Sequence, residues 1–81
     1  MRKSIFTPEQ EKSQALLRQI RLDAGLSQVE LAQLLGLTQP FVSKYEQGER
    51  RLDLLELRQI CRAVGISLED FVRKFEKSLH E

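Results

Sequence analysis

Apolar residues recur along the chain at helical spacing and nowhere alternate with the two-residue period of a strand, which predicts an all-α chain of five helices. In the first, over about residues 8–24, Leu16, Leu17, Ile20 and Ala24 form one stripe. It begins at Thr7-Pro8-Glu9-Gln10, a capping box with proline at the first helical position, and Gly25 supplies its C-terminal cap. Ser27-Gln28-Val29-Glu30 repeats the box and opens a short helix that puts Leu31, Ala32 and Leu35 on one face and ends at Gly36. Thr38 caps a third helix, Pro40 is tolerated in its first turn, Val42 and Tyr45 face inward, and Gly48 stops it. Asp53 with Glu56 starts the fourth, carrying Leu54, Leu57, Ile60, Cys61 and Val64 and closed by Gly65. Ser67 with Asp70 opens the fifth, where Leu68, Phe71, Val72, Phe75 and Leu79 follow the helical period.

Eighty-one residues fit one small domain, residues 1–81, and exclude a multidomain enzyme. With 41% hydrophobic and 31% charged residues the chain has the composition of a folded domain. A single cysteine, Cys61, forms no internal disulfide and points to a reducing compartment. No stretch approaches the roughly 18–20 apolar residues of a membrane span. The expectation is a cytoplasmic chain with no membrane partner. A net charge of +1 does not advertise nucleic-acid binding. Residues 1–21, however, hold Arg2, Lys3, Lys12, Arg18 and Arg21 against Glu9 and Glu11, so any anion-binding surface is local.

Chemistry of other kinds finds little support. Cys61 lies on an apolar helix face and reads as a small buried hydrophobe, and His80 stands beside the last residue. One Cys and one His far apart assemble neither a zinc site nor a nucleophile pair, and no glycine-rich phosphate loop occurs. The carboxylates are interspersed with cations, as in surface salt bridges. The chain is expected not to be an enzyme and to need no cofactor or metal, and no small-molecule ligand is evident.

The second and third helices are joined by Leu35-Gly36-Leu37-Thr38, too short a link for antiparallel packing, so the two must cross steeply. That is the helix-turn-helix arrangement, whose second helix enters the major groove. Spacing alone fits a plain helix corner equally well. The run LSQVELAQLLGLTQPFVSKYEQGERRLD, though, resembles the Cro/CI-like helix-turn-helix family of phage and bacterial repressors, the XRE family, over about Leu16 to Phe71. The resemblance implies a compact five-helix, lambda-repressor-like DNA-binding domain. In it Ser27 and Gln28 open the second helix against a phosphate, and Ala32 and Gly36 are small packing and turn positions. It also implies a buried Val42, a structural ion pair between Arg21 and Glu46, and base-facing Gln39, Pro40, Ser43 and Lys44 with Phe41 at the edge. Pro40 departs from the family's usual polar residue and removes one base contact.

The residue chemistry agrees with these roles. Gln39 offers a paired donor and acceptor to adenine, Lys44 donates to guanine, and Phe41 suits a thymine methyl. Helix N-termini at Ser27 and Thr38 favour phosphate oxygens, and Gln47 with the mobile cations Arg50 and Arg51 adds phosphate contacts. Two alternatives stand beside this. Lys44, Arg50 and Arg51 read equally as a solvated face diluted by Glu46 and Glu49, and Phe41 is either a satellite core residue or an exposed contact.

One recognition helix reads too few base pairs to select a genomic site, so a homodimer on double-stranded DNA is expected. Phe75 and Leu79 are expected to lie uncovered on the fifth helix and to form its two-fold interface. The function this implies is a sequence-specific transcriptional regulator, most simply a repressor on a palindromic operator, with no segment remaining for an effector domain. Alternatives are an antitoxin-type DNA-binding protein that also masks a toxin, and the controller protein of a restriction-modification system.

Overall fold

Five helices form: α1 (Pro8–Asp23), α2 (Gln28–Leu35), α3 (Gln39–Glu46), α4 (Leu54–Val64) and α5 (Leu68–Leu79). The computed structural model describes residues 7–80, among which there is no strand. Arg2 and Lys3, counted above in the N-terminal charge excess, lie outside the described residues.

The caps explain where each helix begins and ends. Ser27 Oγ accepts from the Glu30 N–H at 3.0 Å while Glu30 Oε1 accepts from the Ser27 N–H at 2.8 Å, a complete capping box. Asp53 and Glu56 repeat it at 2.7 and 2.9 Å. At α1 only the forward half forms, Thr7 Oγ1 accepting from the Gln10 N–H at 3.1 Å. This helix ends one residue earlier than its pattern suggests. The Gly25 N–H then bonds Leu22 O at 2.9 Å and the Leu26 N–H bonds Arg21 O at 3.2 Å. Gly36, at φ 70°, makes the left-handed turn between α2 and α3 that residues with a side chain adopt only at a cost.

The third helix departs from the expected cap. Thr38 stands at the N-cap, but its side chain makes no capping hydrogen bond. Pro40 has no N–H to offer, and the Phe41 N–H turns instead to the Thr38 carbonyl at 3.1 Å. The first turn of α3 therefore presents a single free backbone donor, that of Gln39.

Leu17 and Ile20 of α1, Leu31 and Ala32 of α2, Val42 and Tyr45 of α3, Ile60 and Cys61 of α4, and Phe71 of α5 form one core. α1 packs on α3, α4 and α5, α2 packs on α3 and α4, and α4 packs on α5. Burial holds Cys61 in its thiol form by pushing its pKa up.

Two apolar expectations are corrected. Phe75 packs against the core and Leu79 is partly buried, because α1 lies along α5 and Lys12 Nζ donates to the Ser78 carbonyl at 2.9 Å. The stripe expected to be bare is partly buried beside a helix whose Lys12 stands sixty-six positions from Ser78. Leu54, counted among the apolar residues that the fourth helix carries, opens α4 at 65% exposure beside Leu55 at 70%.

Candidate nucleic-acid interface

Gln39, Pro40, Ser43 and Lys44 recur at i, i+1, i+4 and i+5 and so share one side of α3, while Val42 and Tyr45 anchor the opposite side in the core. Gln39, Pro40 and Lys44 are exposed and Ser43 is partly buried. Gln47, the C-cap residue, stays on this side and donates from Nε2 to Ser43 Oγ at 3.2 Å.

Behind this face runs a polar relay. Arg21 donates from Nε to Glu46 Oε2 at 2.7 Å, from Nη2 to Glu46 Oε1 at 3.0 Å and from Nη1 to the Leu26 carbonyl at 2.9 Å. The two side chains are only 7% and 3% exposed. The ion pair implied by family resemblance is thus present, and hydrogen bonding to Glu46 raises the Arg21 pKa against the opposing effect of burial. Glu46 Oε1 also accepts from Gln28 Nε2 at 3.0 Å, and Gln28 Oε1 accepts from Gln39 Nε2 at 2.8 Å.

The chain of bonds dictates orientation. An ionised carboxylate only accepts, so Gln28 must turn its NH₂ to Glu46 and its oxygen to Gln39. Gln39 then spends one N–H inward and keeps its Oε1 and second N–H facing out, the donor and acceptor pair that matches the adenine edge in the major groove. Gln28, expected on a phosphate, serves inside the relay. No sequence spacing flagged its link to Gln39, which joins two helices across the turn.

One other expectation changes. Arg50 is not a mobile cation: it donates from Nη1 and Nη2 to Glu56 Oε1 and Oε2 at 3.1 and 2.8 Å, and from Nη1 to the Arg51 carbonyl at 2.8 Å. Hydrogen bonding to Arg50, then to the Asp53 N–H, holds the Glu56 carboxyl below its usual range. The Arg50 guanidinium lies 4.5 Å from the centre of the Phe41 ring. Phe41 meets Tyr45 edge-on at 5.6 Å and is partly buried against the core, the satellite position of the two foreseen. Ser27 spends its hydroxyl on the cap, and the phosphate-binding potential of α2 rests on the unpaired Gln28 and Val29 N–H groups. Arg51 and Thr38 are exposed.

A short helix braced from behind, crossing its predecessor at a glycine turn and presenting a polar face with an oriented amide, defines a helix-turn-helix domain. A helix-turn-helix family model matches residues 17–71, and the chain belongs to the XRE-type helix-turn-helix family of DNA-binding transcriptional regulators. Among similar solved structures is an XRE-family like protein from Pseudomonas syringae pv. tomato, 43% identical, with 83% of this chain and 85% of that one aligned at TM-score 0.72. A point mutant of the restriction-modification controller protein C.Esp1396I is 25% identical over 93% and 95% of the two chains, at TM-score 0.83. That controller protein is also known as a tetramer in complex with its natural 35-base-pair operator, where the likeness is 24% identity at TM-score 0.82. The clp gene regulator ClgR from Corynebacterium glutamicum is 27% identical over 91% of this chain and 79% of that one, at TM-score 0.79. No curated protein matches the sequence.

Proposed function

We propose that the chain is a repressor that binds a palindromic operator as a two-fold dimer, each copy laying α3 in the major groove of one half-site. The observation that carries the reading is the relay from Arg21 through Glu46 and Gln28 to Gln39, which holds a base-reading amide in one orientation before DNA arrives. Gln39 reads adenine and Lys44 reads guanine, with Ser43 beside them. Pro40 contributes shape, and Phe41 buttresses the helix. Phosphates meet the Gln28 and Val29 N–H groups, the Thr38 hydroxyl, Gln47 and Arg51.

The dimer surface moves from α5 to the start of α4, where Leu54 and Leu55 are the most exposed large apolar side chains among the described residues. A Leu55→Asp variant is expected to sediment as a monomer and to lose operator binding, whereas Leu79→Asp is expected to leave association intact; the reverse result would restore the α5 interface.

Selection of sites from a random duplex library, followed at two salt concentrations, tests the function. The expected result is a two-fold symmetric consensus with half-sites about 34–36 Å apart. With Lys44 and Arg51 as free cations on each copy, the logarithm of affinity should fall against the logarithm of salt with a slope of about −4. Salt-dependent binding without a consensus would refute sequence-specific reading. The controller-protein reading is supported by full-length similarity to C.Esp1396I and makes the same prediction for DNA; it adds that a restriction-modification gene pair carries the selected site.

A further inference from the structure

The recognition helix α3 packs chiefly on α1 and α2, and no hydrogen bond among the described residues joins it to α4 directly. Arg50, in the loop between the two helices, bridges them instead. Its guanidinium lies 4.5 Å from the centre of the Phe41 ring on α3 and donates to both carboxylate oxygens of Glu56 on α4, at 3.1 and 2.8 Å. A planar fork engaged at both prongs and laid over a ring has one orientation. Each end of the bridge is anchored in turn. Phe41 meets Tyr45 edge-on at 5.6 Å, and Tyr45 is buried in the core. Glu56 Oε1 accepts from the Asp53 N–H at 2.9 Å as half of the capping box that starts α4. Leu54 and Leu55, the exposed apolar pair, stand between the two residues of that box.

We infer that Arg50 is a positioning residue that fixes the distance between the two recognition helices of the dimer, and with it the half-site spacing the protein accepts. This rests on the dimer surface proposed at Leu54 and Leu55. A partner docked there holds the first turn of α4, and Arg50 carries that fixed point to Phe41 and so to the Gln39, Pro40, Ser43 and Lys44 face of the same helix. One base pair added between half-sites moves the far one by about 3.4 Å and turns it by roughly 34–36°. A stiff link rejects that change, and a slack one follows it.

The probes are duplexes that carry two copies of the selected half-site at the selected spacing, and the same pairs with one base pair inserted or removed at the centre. For the parent, either change should weaken binding about tenfold. For Arg50→Met, whose stem still covers Phe41, the penalty should shrink to about threefold or less. Phe41→Leu should shrink it equally, and the double variant should add nothing further, since both changes cut the same link. Arg50→Lys keeps a cation for the ring without the fork for Glu56 and should fall between. Loss of a phosphate contact or of stability would lower affinity at every spacing by one factor and leave the ratio untouched. A ratio equal to the parent's in folded Arg50→Met would overturn the inference; if that variant fails to fold, an unchanged ratio in Arg50→Lys and Phe41→Leu does so. Sedimentation on the duplex keeps the two readings apart. A parent that binds as a monomer, or a Leu55→Asp variant that still dimerises, strikes the dimer surface and this inference with it, whereas a dimeric parent whose spacing is indifferent to Arg50 strikes the inference alone.

Discussion

Removing the carboxylate of Glu46 tests whether the relay is a structural necessity or a device for reading DNA. In Glu46→Ala the Arg21 guanidinium loses bonds of 2.7 and 3.0 Å, keeps only the Leu26 carbonyl at 2.9 Å, and stays in a site that leaves its side chain 7% exposed. Stranding one partner of a buried pair costs about 3–5 kcal/mol. A chain of 81 residues has a total stability of roughly 4–12 kcal/mol, so the variant sits near the edge of folding, with a melting temperature lower by roughly 15–30 °C. Replacing both members, Arg21→Met with Glu46→Leu, removes the stranded charge and should recover stability to within about 1 kcal/mol of the parent or exceed it. The double variant nevertheless leaves the Gln28 amide with nothing to fix its orientation. Operator affinity should therefore drop roughly tenfold while the fold holds, with discrimination at the adenine position reduced. Urea unfolding followed by circular dichroism gives the stabilities, and fluorescence anisotropy on labelled duplex gives the affinities. A single variant that loses less than about 1 kcal/mol, or a double variant that reads DNA like the parent, would refute this reasoning.

Glu56→Gln should free Arg50 and steepen the salt dependence by about one unit per copy, which titrations of affinity against salt will check; an unchanged slope would place Arg50 away from DNA. The folded-state pKa of Glu56 is lowered below 4.5, so its contribution to stability is fully present above that value and is lost as the pH falls through the folded pKa. Acid unfolding curves should show a shallower loss below pH 4.5 for Glu56→Gln than for the parent. Cys61 should resist a thiol reagent in native buffer and react only at the rate of unfolding, as labelling in rising urea would reveal; fast native labelling would contradict its burial. Gly36→Ala should cost about 1–2 kcal/mol in urea unfolding from its positive φ alone, since nothing lies within 4 Å of the added methyl.

Much of the fold was legible because its signals are local. Ser27 with Glu30 and Asp53 with Glu56 announce helix starts through bonds made within four residues, and Gly36 announces the turn through its own backbone. Where the outcome depended on distant partners, sequence reading failed in a physical direction. The partial burial of Phe75 accompanies a bond between Lys12 and Ser78, sixty-six positions apart, which no periodicity encodes. Arg50 was read as mobile because its partner Glu56 lies across a loop, outside the spacings at which helix neighbours meet. The reading face was recovered as a set because Gln39, Pro40, Ser43 and Lys44 follow helical spacing opposite Val42 and Tyr45. Of its internal wiring the Arg21–Glu46 pair came through family resemblance, whereas the bonds of Gln28 to Glu46 and Gln39 did not, since they join α2 to α3 with no local spacing to mark them.

Pro40 carries one more consequence, thermodynamic in kind. A proline in the first turn narrows the conformations open to the unfolded chain, and Val42 and Tyr45 pin the same helix to the core. The recognition helix is therefore folded before it meets its target, and association has no helix to order. Calorimetry of the complex should record a heat-capacity change accounted for by the surface the two partners bury, without the larger decrement that accompanies folding on binding.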